Sequence, residues 1–208
     1  MINLKNIHLN FGDRKIFDGF NLNVKEKEKI LIYGKSGIGK SSILNLILGF
    51  VQPDKGEIYF KDDILNKNNI WNFRKKTAFV TQNNDLTGGK VREFILDVLN
   101  FKANKEIEMN EERLIELMKY FDLDSSFIDK EFQDLSGGEK QRISIIISIM
   151  MDKEIYLLDE ITSSLDNKMK EKVVDYFIEK MDKTEIIISH DNHWIKKSGL
   201  KVINLEEM

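Results

Sequence analysis

Four consecutive apolar residues, Ile30-Leu31-Ile32-Tyr33, run straight into Gly34-Lys35-Ser36-Gly37-Ile38-Gly39-Lys40-Ser41, and a second apolar-rich run, residues 42–48, follows at once. A short run with no polar face reads as a strand buried on both sides, and the later run reads as a buried helix. Between them the glycines have a physical purpose. Lacking Cβ atoms, they let the loop curl so that successive N–H groups point at one anion, and the helix that follows adds its positive end. The octet fits G-x-x-x-x-G-K-[ST], a cradle for nucleotide phosphates. Its backbone, from Gly34 through Lys35, Ser36, Gly37, Ile38 and Gly39, would wrap the phosphates. Lys40 would neutralise β/γ-phosphate charge, Ser41 would ligate Mg²⁺, and Ser42 would add a phosphate contact. A glycine-rich turn before a helix would account for the glycines but not for the Lys-Ser pair in this context.

The remaining pattern is that of an α/β chain. Alternation over residues 2–4, 7–11 and 20–24 predicts an antiparallel β layer, and residues 57–61 and 77–80 read as further strands. From 83 to 151 the character is helical: residues 90–101, 111–121 with Asn110 as N-cap, and 137–151. Strands at 154–158 and 185–189 enclose a helix at 167–181, a β-α-β return that implies a parallel sheet. We therefore expect one 208-residue domain, with residues 1–82 and 152–208 forming the core lobe and residues 83–151 an inserted helical subdomain. The formal charge of −3 gives no basic footprint for nucleic acid, and the absence of cysteine excludes disulfides and fits a reducing compartment. Residues 1–5 carry no signal-peptide core. The longest apolar stretch, residues 143–151, is about half of the roughly 20 residues a membrane helix needs.

A second constellation follows the strand at 154–158. Asp159 and Glu160 emerge at the carboxyl edge of a parallel sheet, where ligands bind. An acidic pair at a strand end is often only solvated charge. Beside a phosphate loop the roles divide: Asp159 holds Mg²⁺ directly or through water, and Glu160 orients or deprotonates the attacking water.

Those two sites occur in many phosphate-loop proteins. Leu135-Ser136-Gly137-Gly138-Glu139-Lys140-Gln141-Arg142 is more specific, since Ser136 can cap a helix whose first N–H groups are bared by Gly137 and Gly138, making a second anion site. Here the chain resembles the ABC ATPase family, whose signature L-S-G-G-[EQ]-x-Q-R stands just before the acidic strand. The resemblance implies a P-loop NTPase fold with a mainly parallel core sheet, an antiparallel β subdomain and an inserted α-helical subdomain. It also implies a head-to-tail dimer, in which Ser136, Gly137 and Gly138 of one cassette close over the ATP held by the other. Phe11 stands where the family stacks an aromatic on adenine. Gln82 matches the glutamine that approaches Mg²⁺ and the attacking water, Asp166 the loop crossing the dimer interface, and His190 the switch histidine that contacts the γ-phosphate and supports Glu160. His8 and His193 have no such counterpart and read as surface or packing residues. Ile161 replaces a frequent proline and Ser164 a frequent alanine; neither removes a phosphate-contacting group.

What the resemblance implies is an ATP-hydrolysing transporter subunit, cytoplasmic and held at the inner face of the cell membrane by a separate permease. Residues 86–95 resemble the G-T-[IV]-R-E-N-I stretch of exporter-type cassettes. The phrase from Asp159 to Asp166, together with Leu135 to Ile143, looks like small bacterial cassettes proposed to support iron or other metal efflux. The alternative is a soluble ABC ATPase acting on ribosomes or DNA, whose usual paired cassettes or long coiled-coil insertions are not seen here.

Overall fold

The computed structural model describes residues 1–81 and 89–207. Strands β1 (Ile2–Phe11), β2 (Arg14–Val24), β4 (Lys55–Phe60) and β5 (Asp63–Ile64) form an antiparallel sheet in the order β2-β1-β4-β5. Strands β3 (Lys29–Tyr33), β6 (Thr77–Val80), β7 (Ile155–Asp159), β8 (Thr184–Ile188) and β9 (Lys201–Asn204) form a parallel sheet in the order β6-β7-β8-β3-β9.

The apolar runs are continuous because successive residues of the parallel sheet face two different cores. Ile30, Ile32, Ile155, Leu157, Ile186 and Ile188 face a core shared with the antiparallel sheet and with Ile43, Leu44 and Ile47 of helix α1 (Lys40–Ile47). Leu31, Tyr156, Leu158 and Ile187 face the other core. There they meet α3 (Val91–Asn100), α4 (Glu111–Tyr120), α5 (Gly137–Met150) and α6 (Asn167–Asp175). Helix α5 is buried on nearly all sides after its first turn, so it has no polar stripe to show. Its buried Ser148 hydroxyl donates to the Ile145 carbonyl at 2.7 Å, which removes the cost of an unpaired donor.

The two alternating stretches of β1 are out of phase, because Ile2 and Leu4 are even and Ile7 and Leu9 odd. The structure absorbs this in a bulge: register shifts between Leu4 and Ile7, and Asn6 sits at φ 50°. On β4, Gly56 lies so close that a Cβ there would stand 2.4 Å from the Asn6 carbonyl oxygen. Opposite the bulge, β2 is longer than residues 20–24 suggested and begins at Arg14. Short α2 (Ile70–Lys75) and α7 (Asn192–Ile195), together with β5 and β9, lack a sequence pattern strong enough to announce them. The helix expected at 167–181 becomes α6 followed by a π-helical turn, Tyr176–Lys180. Lys29 caps that end, donating to the carbonyls of Phe177, Ile178 (2.8 Å) and Met181 (2.6 Å).

Strands β7, β8 and β3 are neighbours with parallel carboxyl ends. The residues that follow them, Glu160, His190 and Gly34, therefore emerge side by side at one edge of the sheet.

Candidate active site

The loop after β3 needs glycine for two separate reasons. Gly34, Gly37 and Gly39 have φ of 150°, 79° and 114°, outside what other residues readily adopt. At Gly39 space is limiting as well: a Cβ would lie 2.6 Å from Ile16 Cγ2. Ile38 turns its side chain into the core beneath. Helix α1 starts immediately afterwards, and no side chain caps its first N–H groups. The Lys40 ammonium, about nine-tenths buried, donates to the carbonyls of Gly34 at 2.8 Å and Lys35 at 3.0 Å. From β2, Arg14 Nη2 donates to the Gly37 carbonyl at 2.5 Å and pins the outer bend. These groups border a cleft of about 780 Å³, lined also by Phe11, Ser41, Ser42, Asp159, Glu160 and His190. Phe11 is half exposed at the cleft mouth.

At the floor, burial raises the Asp159 carboxyl above its ordinary range; the Ser41 hydroxyl bonded to it pulls the other way, the charge of Glu160 adds to the rise, and Lys40 opposes it. Such a carboxylate gains from a cation placed beside it. Glu160 occupies left-handed backbone at φ 52°, a strained place for a non-glycine residue. Its own N–H donates to the Ile188 carbonyl at 2.9 Å, fixing it to the end of β8. The side chain, only 14% exposed, lies 3.0 Å from Nδ1 of His190, which is 73% exposed. A carboxylate oxygen only accepts, so Nδ1 carries the proton in this contact and Nε2 is left free of Glu160.

Ser136, Gly137, Gly138 and Asp166 do not line this cleft. Ser136 caps α5, accepting from Glu139 N at 3.4 Å, while the Glu139 carboxylate accepts from Ser136 N at 2.7 Å. Ser136 and Gly137 are exposed and do not line the cleft, and neither does Gly138. Gly138 instead abuts the loop after β7, where a Cβ would stand 3.1 Å from the Ser164 carbonyl. Asp166 caps α6, accepting from Met169 N at 2.9 Å. Gln82 lies outside the described residues. Among the described residues no cluster of three or more His, Cys, Asp or Glu side chains could hold a metal by itself.

Sequence reasoning missed Arg14, whose position on β2 no motif marks. It also missed a polar cluster behind Glu160 and His190, made of Thr162, Lys170, Asp191 and His193, because its members lie far apart along the chain.

A family profile described as "ABC transporter" matches residues 17–163. The chain is 30% identical to the ergothioneine transport ATP-binding protein EgtV of Helicobacter pylori, over 100% of this chain and 98% of that one. It is 31% identical to the energy-coupling factor transporter ATP-binding protein EcfA1 of Mycoplasmopsis synoviae, over 92% of this chain and 74% of the relative. A solved dimer of the ATP-binding cassette MJ0796, in a post-hydrolysis state with ADP and phosphate, superposes with a TM-score of 0.82 at 30% identity, covering 98% of this chain and 94% of that one.

Proposed function

The chain belongs to the ABC transporter family of ATP-binding ATPases, and from that premise we propose that it hydrolyses Mg-ATP in a head-to-tail dimer to drive transport through a separate membrane permease. The observation that carries this reading is a split site. Phosphate loop, acidic pair and His190 border one cleft, whereas Ser136, Gly137 and Gly138 of the same chain do not line it, and the first two are exposed. A second copy turned head to tail brings its helix N-terminus over the γ-phosphate and completes the anion site.

In this reading backbone N–H groups of the phosphate loop and the Lys40 ammonium hold the β- and γ-phosphates, and Phe11 stacks on the adenine. Ser41 and Asp159 supply hard oxygen donors to the same cleft, a set that fits Mg²⁺ held by few protein ligands. Bound there, Mg²⁺ would neutralise phosphate charge. Gln82 is assigned to the same metal and to the attacking water. Glu160 takes the water's proton as the oxygen attacks γ-phosphorus in line and the bond to the β–γ bridging oxygen breaks. His190 holds Glu160 through Nδ1 and presents Nε2 towards the γ-phosphate. Asp166 lies at the dimer seam, and residues 83–151 form the unit that carries the signature.

No described helix is long and apolar enough to cross a membrane. We assign the chain to the cytoplasmic face of the cell membrane, held there by its permease. Export-type coupling, with metal as one cargo class, rests on the sequence of residues 86–95 and on the Asp159–Asp166 phrase. Affinity purification from detergent-solubilised cells tests the partner: recovery of an integral membrane protein supports the assignment, and recovery of ribosomes or DNA instead refutes it.

A further inference from the structure

Behind the Glu160–His190 pair lies a second bond between the same two loops. Thr162, two residues past Glu160, is fully buried, and its Oγ1 lies 3.2 Å from Asp191 Oδ2. Asp191 is the residue after His190. Trp194 Nε1, which can only donate, points at Thr162 Oγ1 from 3.3 Å. The threonine oxygen therefore accepts from the indole, and its hydrogen is left to donate to Asp191. The other Asp191 oxygen accepts from the backbone N–H of His193 at 3.0 Å and lies 2.7 Å from the His193 ring Nδ1. Lys170 of α6 approaches Oδ2 at 3.0 Å. Burial works against ionisation of Asp191, but the two His193 contacts and Lys170 outweigh it and hold the carboxyl below its ordinary range. Asp191 is thus bonded to three segments: the loop after β7, helix α6 and the first turn of α7.

His190 needs such a brace. Its side chain is 73% exposed, so packing does little to fix it. Its position follows from the backbone, and the next residue along that backbone is clamped. On the other strand, Glu160 sits in strained φ > 0 backbone that relaxes unless its neighbours hold it. The Thr162–Asp191 bond spans the same gap as the Glu160–His190 bond and keeps the two loops at one separation, while buried Trp194 ties the far end into the helical core.

We propose that Asp191, through Thr162 and Trp194, is a positioning residue that sets the Glu160–His190 geometry for hydrolysis without touching nucleotide. This inference rests on the roles given above to Glu160 and His190. Misplacing a reacting group by about 1 Å costs on the order of 100-fold in rate. Asp191→Ala and Thr162→Val should therefore lower kcat for ATP hydrolysis by about 10- to 100-fold, with the Kd of a fluorescent ATP analogue within about two-fold of wild type, as expected for residues that make no ground-state contact. Thr162→Ser, which keeps the hydroxyl, should restore most of the loss.

The deciding measurement is a double-mutant cycle with His190→Ala, reading kcat on material shown to be folded by its thermal transition. If Asp191 acts through His190, adding Asp191→Ala to His190→Ala changes kcat little. Multiplying losses, or a kcat unchanged by Asp191→Ala and Thr162→Val while His190→Ala is impaired, would overturn the positioning role alone. Unimpaired turnover in His190→Ala would overturn the catalytic reading itself, and the inference with it. Should Asp191→Ala fail to fold, Thr162→Val enters the same cycle.

Discussion

Glu185, at the start of β8, is fully buried, and among the described residues neither of its carboxyl oxygens has a hydrogen-bond partner. Lys29 stands 3.3 Å from Oε1, but its three N–H groups are directed at the carbonyls of Phe177, Ile178 and Met181. Burial therefore prevails over Lys29 and pushes the carboxyl from 4.5 up to about 8. The sign follows from proton counting. Below the unfolded value of 4.5 both states carry the proton. As pH rises from there to about 8, the unfolded chain releases it and the folded chain does not, so stability falls by ~1.4 kcal/mol per pH unit. Between pH 4.5 and 7 this amounts to about 3 kcal/mol, a large share of the 5–15 kcal/mol typical of a domain. Glu185→Gln keeps the shape and cannot ionise, so it should match wild type near pH 4.5 and exceed it by about 3 kcal/mol at pH 7. Urea unfolding of both proteins at pH 5, 6, 7 and 8 reads this directly, because other titrating groups cancel in the difference. A difference that stays flat with pH, or that favours wild type increasingly as pH rises, would refute the argument. The second result would mean that the pair with Lys29 is ionised and net stabilising.

Two further outcomes follow from local geometry. Gly56→Ala would drive a Cβ to 2.4 Å from Asn6 O and 2.5 Å from Lys5 O at φ 97°; it should cost roughly 2–3 kcal/mol in urea unfolding, and a loss below half that would mean the bulge yields. Ser136→Ala removes the cap of α5 and should cost about 1 kcal/mol. Because Ser136 lies outside its own cleft, the isolated variant should bind ATP as wild type does while hydrolysis falls; weakened binding in the monomer would contradict the split site.

The parts of this fold legible in sequence are those where burial leaves a period. Residues 30–33, 155–158 and 186–188 could be read because both faces of their sheet are covered. Strand β9, by contrast, is half exposed and contributes Lys201-Val202-Ile203-Asn204, a run that becomes a strand only by pairing with residues 30–33. Helix α2 buries Phe73 alone, and β5 is two residues long. The phase change in β1 was visible, but its cause was not, since the bulge depends on Gly56 some fifty residues away. Within the site, contiguous residues carried the phosphate loop and the acidic pair. The Thr162–Asp191–His193 contacts join positions about thirty residues apart and belong to no local pattern; His193, which reads as a surface or packing residue, stands within them.

In the proposed cycle two copies complete one another's sites around ATP and Glu160 then activates water. The solution mass of Glu160→Gln with and without Mg-ATP, measured beside phosphate release by wild type, tests both steps. An amide cannot take the proton but leaves the phosphate loop untouched, so the variant should dimerise on adding ATP and retain it, while wild type turns ATP over. A variant that binds ATP tightly yet stays monomeric, both alone and with its permease, would contradict the head-to-tail arrangement, and one that still turns over ATP would remove Glu160 from the role of base.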